Sequence, residues 1–262
     1  MAFDIDVYKH GAGPVPHDDL DFTAFAERPL SAGAVRCLRS MSDIESHTIC
    51  YLRDLLVTPS HTDPTVTTFL TMWAVEEFWH GEALAKVLEA HGVPTGDAHI
   101  RAVRERLGWR DRWAPVQQAL AANIVGVDFV AVHMTWGAIN EWSTYAGYAR
   151  LAALEDHPVL TELFGRIMRQ ETRHAAFYAS QARERLERSR RAQKLTRFAL
   201  RRFWAPVGTG LLPEAESAHL VSFLLGGEEG RRLVAQIDEK IDHLPGLAGL
   251  DLVRRAMRKY GL

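Results

Sequence analysis

From Ala32 onward, apolar residues recur every three or four positions, the spacing that places them on one face of an α-helix. No convincing run alternates between apolar and polar residues, so the pattern does not predict strands. Asp63 and Pro64 mark a helix start, since an acidic N-cap precedes proline at the first helical position. The pattern therefore predicts an all-α fold with four long helices, over residues 32–57, 64–92, 116–156 and 158–190.

The lengths of the connections predict how these helices are arranged. Short links join the first helix to the second and the third to the fourth, which favours two antiparallel hairpins. Residues 93–114 form a longer crossover between the hairpins. Because the third helix is unusually long, we expect a kink or break near Gly126 or Gly137. The arrangement is a four-helix bundle with one long crossover.

The two ends of the chain differ from this bundle, which we assign to residues 31–192. Residues 1–30 are rich in Pro, Gly and Asp, a composition typical of an irregular lead-in. Residues 193–262 are expected to form a helical extension packed on the bundle. Its shorter apolar segments are separated by breaks at 203–213, Gly226–Gly227 and 244–249.

Acidic and imidazole side chains interrupt the apolar faces of all four helices. Two of the helices carry a Glu-x-x-His motif, which puts both motif residues on one face, a turn apart. Counting from each hairpin places the four acids at one level of the bundle. The six residues are Glu45 on the first helix, Glu77 and His80 on the second, Glu141 on the third, and Glu171 and His174 on the fourth.

Burying four carboxylates at one level is costly, since each isolated charge costs several kcal/mol even after relaxation. Two imidazolium ions could offset only half of that charge. Two divalent cations would neutralise all four carboxylates and use both imidazoles as neutral ligands. The pattern therefore predicts a dinuclear metal site.

Composition limits the binding partners and the cellular compartment expected for a protein with such a site. The chain has 262 residues, 47% of them hydrophobic, and a formal net charge of −2, which gives no whole-chain electrostatic case for binding nucleic acid. Two cysteines are too few for a disulfide scaffold and are compatible with a reducing compartment, so we expect a cytoplasmic protein. The N-terminus lacks the basic and apolar regions of a signal peptide, and no later segment offers about 18 uncharged apolar residues, so no membrane span is expected.

The motifs resemble those of a known group. One Glu from each of two helices, with Glu-x-x-His from each of the other two, is the pattern of ferritin-like di-iron carboxylate proteins. Within that group, WAVEEFWHGEALAKVLEAHG (73–92) is similar to the W-x-x-E-E-N-R-H-G segment of soluble acyl-carrier-protein desaturases. Glu141-Trp-Ser-Thr144 resembles their Glu-x-x-Thr, and QETRHAAFY (170–178) resembles their D-E-K-R-H-E-T-A-Y. The chain departs from them at Trp79, where the family has Arg, and at Gln170, where it has an acid.

The resemblance implies a function. Glu45, Glu77, His80, Glu141, Glu171 and His174 would be the ligands of two iron ions, with manganese an alternative at one site. Thr144 would assist oxygen activation. The implied activity is O2-dependent desaturation or hydroxylation of an acyl chain, carried on acyl carrier protein or as another acyl thioester. Electrons would come from a ferredoxin-like donor, and the protein would be a homodimer.

Other interpretations remain open at this stage. A di-iron oxygenase or N-oxygenase acting on another small substrate would use a further histidine ligand, for which His133 is placed on nearly the same face as Glu141. Iron oxidation and storage is a third function, which needs only a shorter bundle. The tyrosines could also host a radical, as in relatives that resemble ribonucleotide reductase. A third Glu-x-x-His, Glu216 to His219, lacks a companion carboxylate and is attributed to chance.

Two further features have both a functional and a purely structural interpretation. The run 183–202 carries eight Arg and one Lys against two Glu, which favours docking of an acidic carrier protein or simply a solvated helix surface.

Aromatic residues on the apolar faces could line a tunnel for an acyl chain, or fill the core. These residues are Phe69, Trp73, Trp136, Tyr145, Tyr148, Phe164 and Tyr178. The predicted buried faces also include Ile49, Leu56 and Val127.

Overall fold

The computed structural model describes residues 3–106 and 109–262 and confirms an all-α protein. Within these residues there is no β-strand, although an isolated bridge pairs Thr209 with Leu212. Short 3₁₀ segments occur at Pro59–Thr62, Gly126–Asp128 and Arg258–Tyr260. The α-helices are α1 (Ile5–Gly11), α2 (Ala24–Glu27), α3 (Ala32–Leu55), α4 (Pro64–Ala90), α5 (Asp97–Arg106), α6 (Trp109–Val125), α7 (Phe129–Glu155), α8 (Pro158–Arg188), α9 (Arg190–Phe203), α10 (Glu214–Leu225), α11 (Gly227–Asp242) and α12 (Leu252–Met257).

The four predicted long helices correspond to α3, α4, the pair α6 and α7, and α8. Helix α4 begins as predicted, because the Asp63 side chain accepts hydrogen bonds from the backbone N–H groups of Thr65 and Val66. The third predicted helix is broken at Gly126, whose φ of 77° leaves the right-handed helical region. It also begins earlier than predicted, at Trp109, because α6 continues through Pro115. Helix α7 runs through Gly137 without a break.

Helices α3 and α4 pack along their length, as do α7 and α8, and α4 also contacts α8. Helix α10 lies against both α3 and α7, and α9 lies against α7. Two clusters of buried apolar residues fill the interior. One contains Trp73, Met134 and Phe177, and the other contains Leu38, Leu84, Tyr148 and Ile167. Along each of the four long helices, the predicted ligands lie between residues of these two clusters.

The N-terminal lead-in is more ordered than its composition indicates. It contains α1 and α2, and it buries Tyr8, Val15 and Phe25. Helix α1 forms because the Asp4 side chain caps it, accepting hydrogen bonds from the N–H groups of Asp6 and Val7. Residues 3–30 therefore pack against the long helices instead of forming a loose tail.

Four residues assigned to buried faces are exposed instead. Leu56 and Val127 lie outside regular helix, the first at the C-cap of α3 and the second in the turn Gly126–Asp128. Tyr145 follows Glu141 by four positions, as Ile49 follows Glu45, and a step of four residues rotates a side chain by about 40° around the helix. The exposed fractions are 53% for Ile49, 44% for Leu56, 78% for Val127 and 39% for Tyr145.

Residues 193–262 contain the end of α9 and the helices α10, α11 and α12, which are separated at glycine- and proline-containing segments. The boundary predicted at residues 192 and 193 falls inside α9. Helix α10 is held on α3 by its Glu-x-x-His residues. Glu216 pairs with Arg36 at 2.8 Å, and His219 Nε2 lies 3.0 Å from the Gly33 carbonyl oxygen. This third motif copy therefore has a structural role in helix packing.

The helical stretch Val116–Glu155 is long and apolar enough to cross a bilayer, judged by length and composition alone. Its most apolar 18-residue window has a mean hydropathy of 1.4, and 39% of that window is buried inside the protein. Core helices of soluble proteins have the same character, and this stretch also contains the buried Glu141. The lack of a membrane span stays a prediction.

Candidate metal centre

The structure brings the six predicted ligands together, and none is more than 5% exposed. Their ligand atoms form two groups, and within each group all atoms lie within 4.8 Å of one another. One group contains Glu45, Glu77, His80 and Glu171, and the other contains Glu77, Glu141, Glu171 and His174. Glu77 and Glu171 belong to both groups. The arrangement could hold two metal ions that share these two carboxylates.

Close helix packing helps to form this cluster. A Cβ atom at Gly81 would lie 3.0 Å from Ser46 Oγ and 3.5 Å from Glu45 Cβ, so glycine allows α4 to approach α3 beside the ligands. On α4 and α8, the Glu-x-x-His spacing turns each carboxylate and imidazole to the same side. The distance from His80 Nδ1 to Glu77 Oε2 is 3.2 Å, and that from His174 Nδ1 to Glu77 Oε1 is 3.1 Å.

Neighbouring polar groups hold the ligands in place. Trp73 Nε1 donates a hydrogen bond of 3.0 Å to Glu141 Oε1, and the Tyr148 hydroxyl donates one of 2.6 Å to Glu45 Oε1. Each imidazole also has a partner at Nε2, namely Gln170 Oε1 for His80 and Glu76 Oε2 for His174, both at 2.7 Å. With Nε2 engaged outside the cluster, Nδ1 of each ring faces the carboxylates. This is the orientation that a metal-binding histidine needs.

Burial and charge divide the four carboxyl groups into two kinds. Burial raises the pKa of Glu45 and Glu141 well above the usual value, and the nearby charges of Glu77 and Glu171 raise it further. Burial acts in the same direction on Glu77 and Glu171, but their contacts with the two imidazoles outweigh it and lower the pKa of both groups. Burial would lower the pKa of His80 and His174, yet the surrounding carboxylates raise it well above the usual value.

Among the protein groups alone, these pKa shifts favour the charged forms of Glu77, Glu171 and both imidazoles and the neutral forms of Glu45 and Glu141. Protonation thus supplies the charge balance that the sequence argument assigned to cations. It does not supply well-aligned hydrogen bonds everywhere. Both carboxylate oxygens of Glu171 and Nδ1 of His174 are buried without a partner of hydrogen-bond geometry in the described structure, although His80 Nδ1 lies 3.3 Å from Glu171 Oε1 and His174 Nδ1 lies 3.1 Å from Glu77 Oε1. Nδ1 lies 3.5 Å from Glu171 Oε2. These are atoms that a cation would bind, so the donor set fits a metal pair.

The chemistry of the donor set favours particular metals. The four carboxyl groups supply hard oxygen donors and the two imidazoles supply nitrogen donors, and neither group of ligand atoms includes a cysteine. Such donors suit iron or manganese better than soft, thiolate-bound ions. The identity of the metal stays a prediction.

Sequence reasoning missed several polar residues around the ligands. Glu76 is fully buried and accepts hydrogen bonds from the Tyr8 hydroxyl at 2.7 Å and from Gln170 Nε2 at 3.0 Å. The sequence did contain a signal for Glu76. Helix α4 is apolar around most of its circumference before Glu82, so an acidic residue in that part of the helix is expected to be buried. No local pattern indicated Tyr8, which lies 68 positions from Glu76.

Two other candidate residues lie outside both ligand groups. His133 is buried, and its Nδ1 is 2.7 Å from the Ser60 hydroxyl oxygen. Thr144 lies one turn after Glu141 on α7 and is half-buried. The aromatic residues Phe69 and Phe177 stack with ring centroids 3.8 Å apart, which is core packing.

Scans against models of known protein families, against curated proteins and against solved structures each give no match to this chain.

Proposed function

We propose that this protein is an O2-dependent di-iron oxidoreductase with a ferritin-like bundle, which desaturates or hydroxylates an acyl chain. The observation that supports this most strongly is the buried cluster of four carboxylates and two imidazoles in two groups with two shared carboxylates. A metal-binding helix bundle with a Glu from two helices and Glu-x-x-His from the other two is the arrangement of di-iron carboxylate proteins. Two iron ions bound there would supply the reduction of O2 and the oxidation of an unactivated C–H bond.

The protein groups have definite roles in such a reaction. The outer hydrogen bonds of His80 and His174 direct Nδ1 of each ring towards the cluster. Apolar clusters on both sides of the ligands exclude water, which protects a strong oxidant from side reactions. Thr144, one turn after Glu141 on α7, would hold a proton during oxygen activation, as the resemblance of Glu141-Trp-Ser-Thr144 to the Glu-x-x-Thr motif implies. Electrons would come from a ferredoxin-like donor, as in the enzymes that the motifs resemble.

Helix α9 supports acyl carrier protein as the form in which substrate arrives. Its sequence contains basic residues and no acidic residue, and Arg190, Lys194 and Arg201 are exposed. Lys194, Phe198 and Arg201 lie together on an open face of this helix. An acidic carrier protein would be attracted to this surface by charge. We also propose that the protein is a homodimer and that it is located in the cytoplasm.

The position of His133 favours this function over N-oxygenation. An N-oxygenase of this architecture would use a further histidine as a ligand, but His133 is directed to Ser60 and belongs to neither group of ligand atoms. Iron storage is disfavoured by the additional helices after α8, because a storage protein needs only a compact bundle.

The test is anaerobic loading of the full chain with ferrous iron, followed by metal analysis and by exposure to O2 with candidate acyl-carrier-protein thioesters. We expect two iron ions per chain and an acyl product lighter by two hydrogens or heavier by one oxygen in mass spectrometry. Glu171→Gln should lose both metal binding and product. The matched control is Glu216→Gln, which alters the same motif outside the cluster and should retain both. An unaltered product yield in Glu171→Gln would refute the proposal.

A further inference from the structure

The two histidines of the candidate centre have chemically different outer partners. His174 Nε2 is 2.7 Å from a carboxylate oxygen of Glu76, whereas His80 Nε2 is 2.7 Å from the amide oxygen of Gln170. Both imidazoles are fully buried, so bulk water does not reach either hydrogen bond. The cluster is otherwise nearly symmetrical, because each histidine belongs to one group with three carboxylates.

The orientation of the Gln170 amide is fixed by its surroundings. Its Nε2 donates hydrogen bonds to the Gly13 carbonyl oxygen at 2.9 Å and to Glu76 Oε1 at 3.0 Å, and both of these atoms are acceptors. The amide oxygen must therefore face His80 Nε2, which donates its proton to it. A neutral amide accepts this hydrogen bond but adds no negative charge to the imidazole.

Glu76 is surrounded by donors that favour its ionised form. Besides His174 and Gln170, the Tyr8 hydroxyl donates to it at 2.7 Å and the Arg173 guanidinium at 2.6 Å. Four donors on one buried carboxylate satisfy its lone pairs, and the guanidinium offsets its charge. His174 thus donates to an anion. A carboxylate partner makes an imidazole a stronger ligand than a neutral partner does.

We propose that the two metal positions are unequal, and that Glu76 makes the position at His174 the tighter one while Gln170 leaves the position at His80 weaker. This inference rests on the proposed dinuclear centre. Outer partners of metal-bound histidines alter metal affinity by about 10–100-fold, so the two binding steps should differ by a factor of that order. Glu76 and Gln170 act through the histidines and are positioning residues.

The test uses Mn²⁺ as the probe and the full chain after removal of bound metal with a chelator. Calorimetry gives the two stepwise constants, and native mass spectrometry at one equivalent of Mn²⁺ gives the populations with no, one and two ions. We expect the one-ion species to dominate. If the two positions have equal affinity, the chains with no, one and two ions should instead be populated in the statistical ratio. That result would refute the proposed inequality but not the dinuclear centre. Binding of fewer than two ions at saturation would overturn the dinuclear centre as well.

Variants identify which position is tight. Glu76→Gln keeps the size of the side chain and removes its charge. The affinity of the first binding step should therefore fall by about 10–100-fold and approach that of the second. His80→Ala should retain one ion bound with the first-step constant, whereas His174→Ala should lose that step. Glu82→Gln, the same change on the same helix outside the cluster, should leave both steps unaltered. Retention of the tight step in His174→Ala would reverse the assignment and refute it.

Discussion

Gly137→Ala tests the close packing of α7 against α8. A Cβ atom at position 137 would lie 2.3 Å from Cδ1 and Cε1 of Tyr178. Carbon atoms in contact are about 3.5–4.0 Å apart, so the ring or the helix has to move by more than about 1 Å. The ring is only 1% exposed and lies against Phe69 and Trp73, with centroids 5.0 and 6.1 Å away. We therefore expect α7 to be displaced from α8.

The expected cost follows from two opposing effects. Overpacking of a core costs about 1–3 kcal/mol, and a confined ring places this case near the upper end. Alanine is more favourable than glycine inside a helix by about 0.5–1 kcal/mol. The net loss should therefore be about 2 kcal/mol in the free energy of unfolding. Urea denaturation monitored by circular dichroism measures it directly.

Gly165→Ala on α8 is the matched control for this substitution. Apart from the backbone of its own helix and its chain neighbours, no atom lies within 4 Å of a Cβ atom built at Gly165, so only the helix propensity changes. We expect Gly165→Ala to be more stable than the original chain by about 0.5–1 kcal/mol. If Gly137→Ala is stabilised to the same extent, the close contact with Tyr178 does not exist and the reasoning is refuted.

Three further predictions concern the cluster and its neighbours. Glu77→Ala should prevent binding of both metal ions, whereas Glu45→Ala should retain one, because Glu77 belongs to both ligand groups and Glu45 to one. Metal analysis that finds the same number of ions per chain in the two variants would contradict this. Thr144→Val should leave the metal content unchanged and lower the yield of product per O2 consumed; normal coupling would exclude its proposed role. Burial, together with the charge of Arg185, lowers the pKa of His133 from 6.5 to about 3, so the unfolded chain binds a proton first as pH falls. The folded protein should lose stability between pH 6.5 and 3, and His133→Gln should make that loss shallower by about 1.4 kcal/mol per pH unit in urea titrations.

The sequence was sufficient to predict the elements that depend on local signals. Helix α4 starts at Pro64 because Asp63 caps it, and the six residues of the buried cluster were recognisable because polar residues interrupted apolar faces at helical spacing. The break at Gly126 was also predicted, but Gly137 needed the structure. The ring of Tyr178 occupies the place of a Cβ atom there, so that glycine serves close packing and not a kink.

Contacts between distant parts of the chain were not predictable from local patterns. The composition of residues 1–30 suggested an irregular segment, yet Tyr8 and Gly13 form part of the hydrogen-bond network around Glu76 and Gln170. Likewise, exposure of Val127 follows from a turn that changes the direction of its side chain. The raised pKa of Glu45 and of Glu141 comes first from how completely the helices bury them, which a helical repeat alone does not determine.

The buried cluster has two possible explanations: it is a metal centre, or it is a network of hydrogen-bonded side chains in the core. A closed network would satisfy its own members, but neither oxygen of the fully buried Glu171 has a partner of hydrogen-bond geometry, and the nearest imidazole nitrogens lie 3.3 Å away on His80 and 3.5 Å away on His174. Leaving a buried acceptor unpaired costs about 1–3 kcal/mol, and a cation between the carboxylates would remove that cost. Ions that bind only the folded chain should then stabilise it, by about 2.7 kcal/mol when the free ion is present at 100 times its dissociation constant. We therefore expect Mn²⁺ to raise the thermal unfolding midpoint of the original chain and not that of Glu77→Ala. An equal response of the two proteins would mean that the ion binds elsewhere, and no response in either would identify the cluster as a protonated structural network.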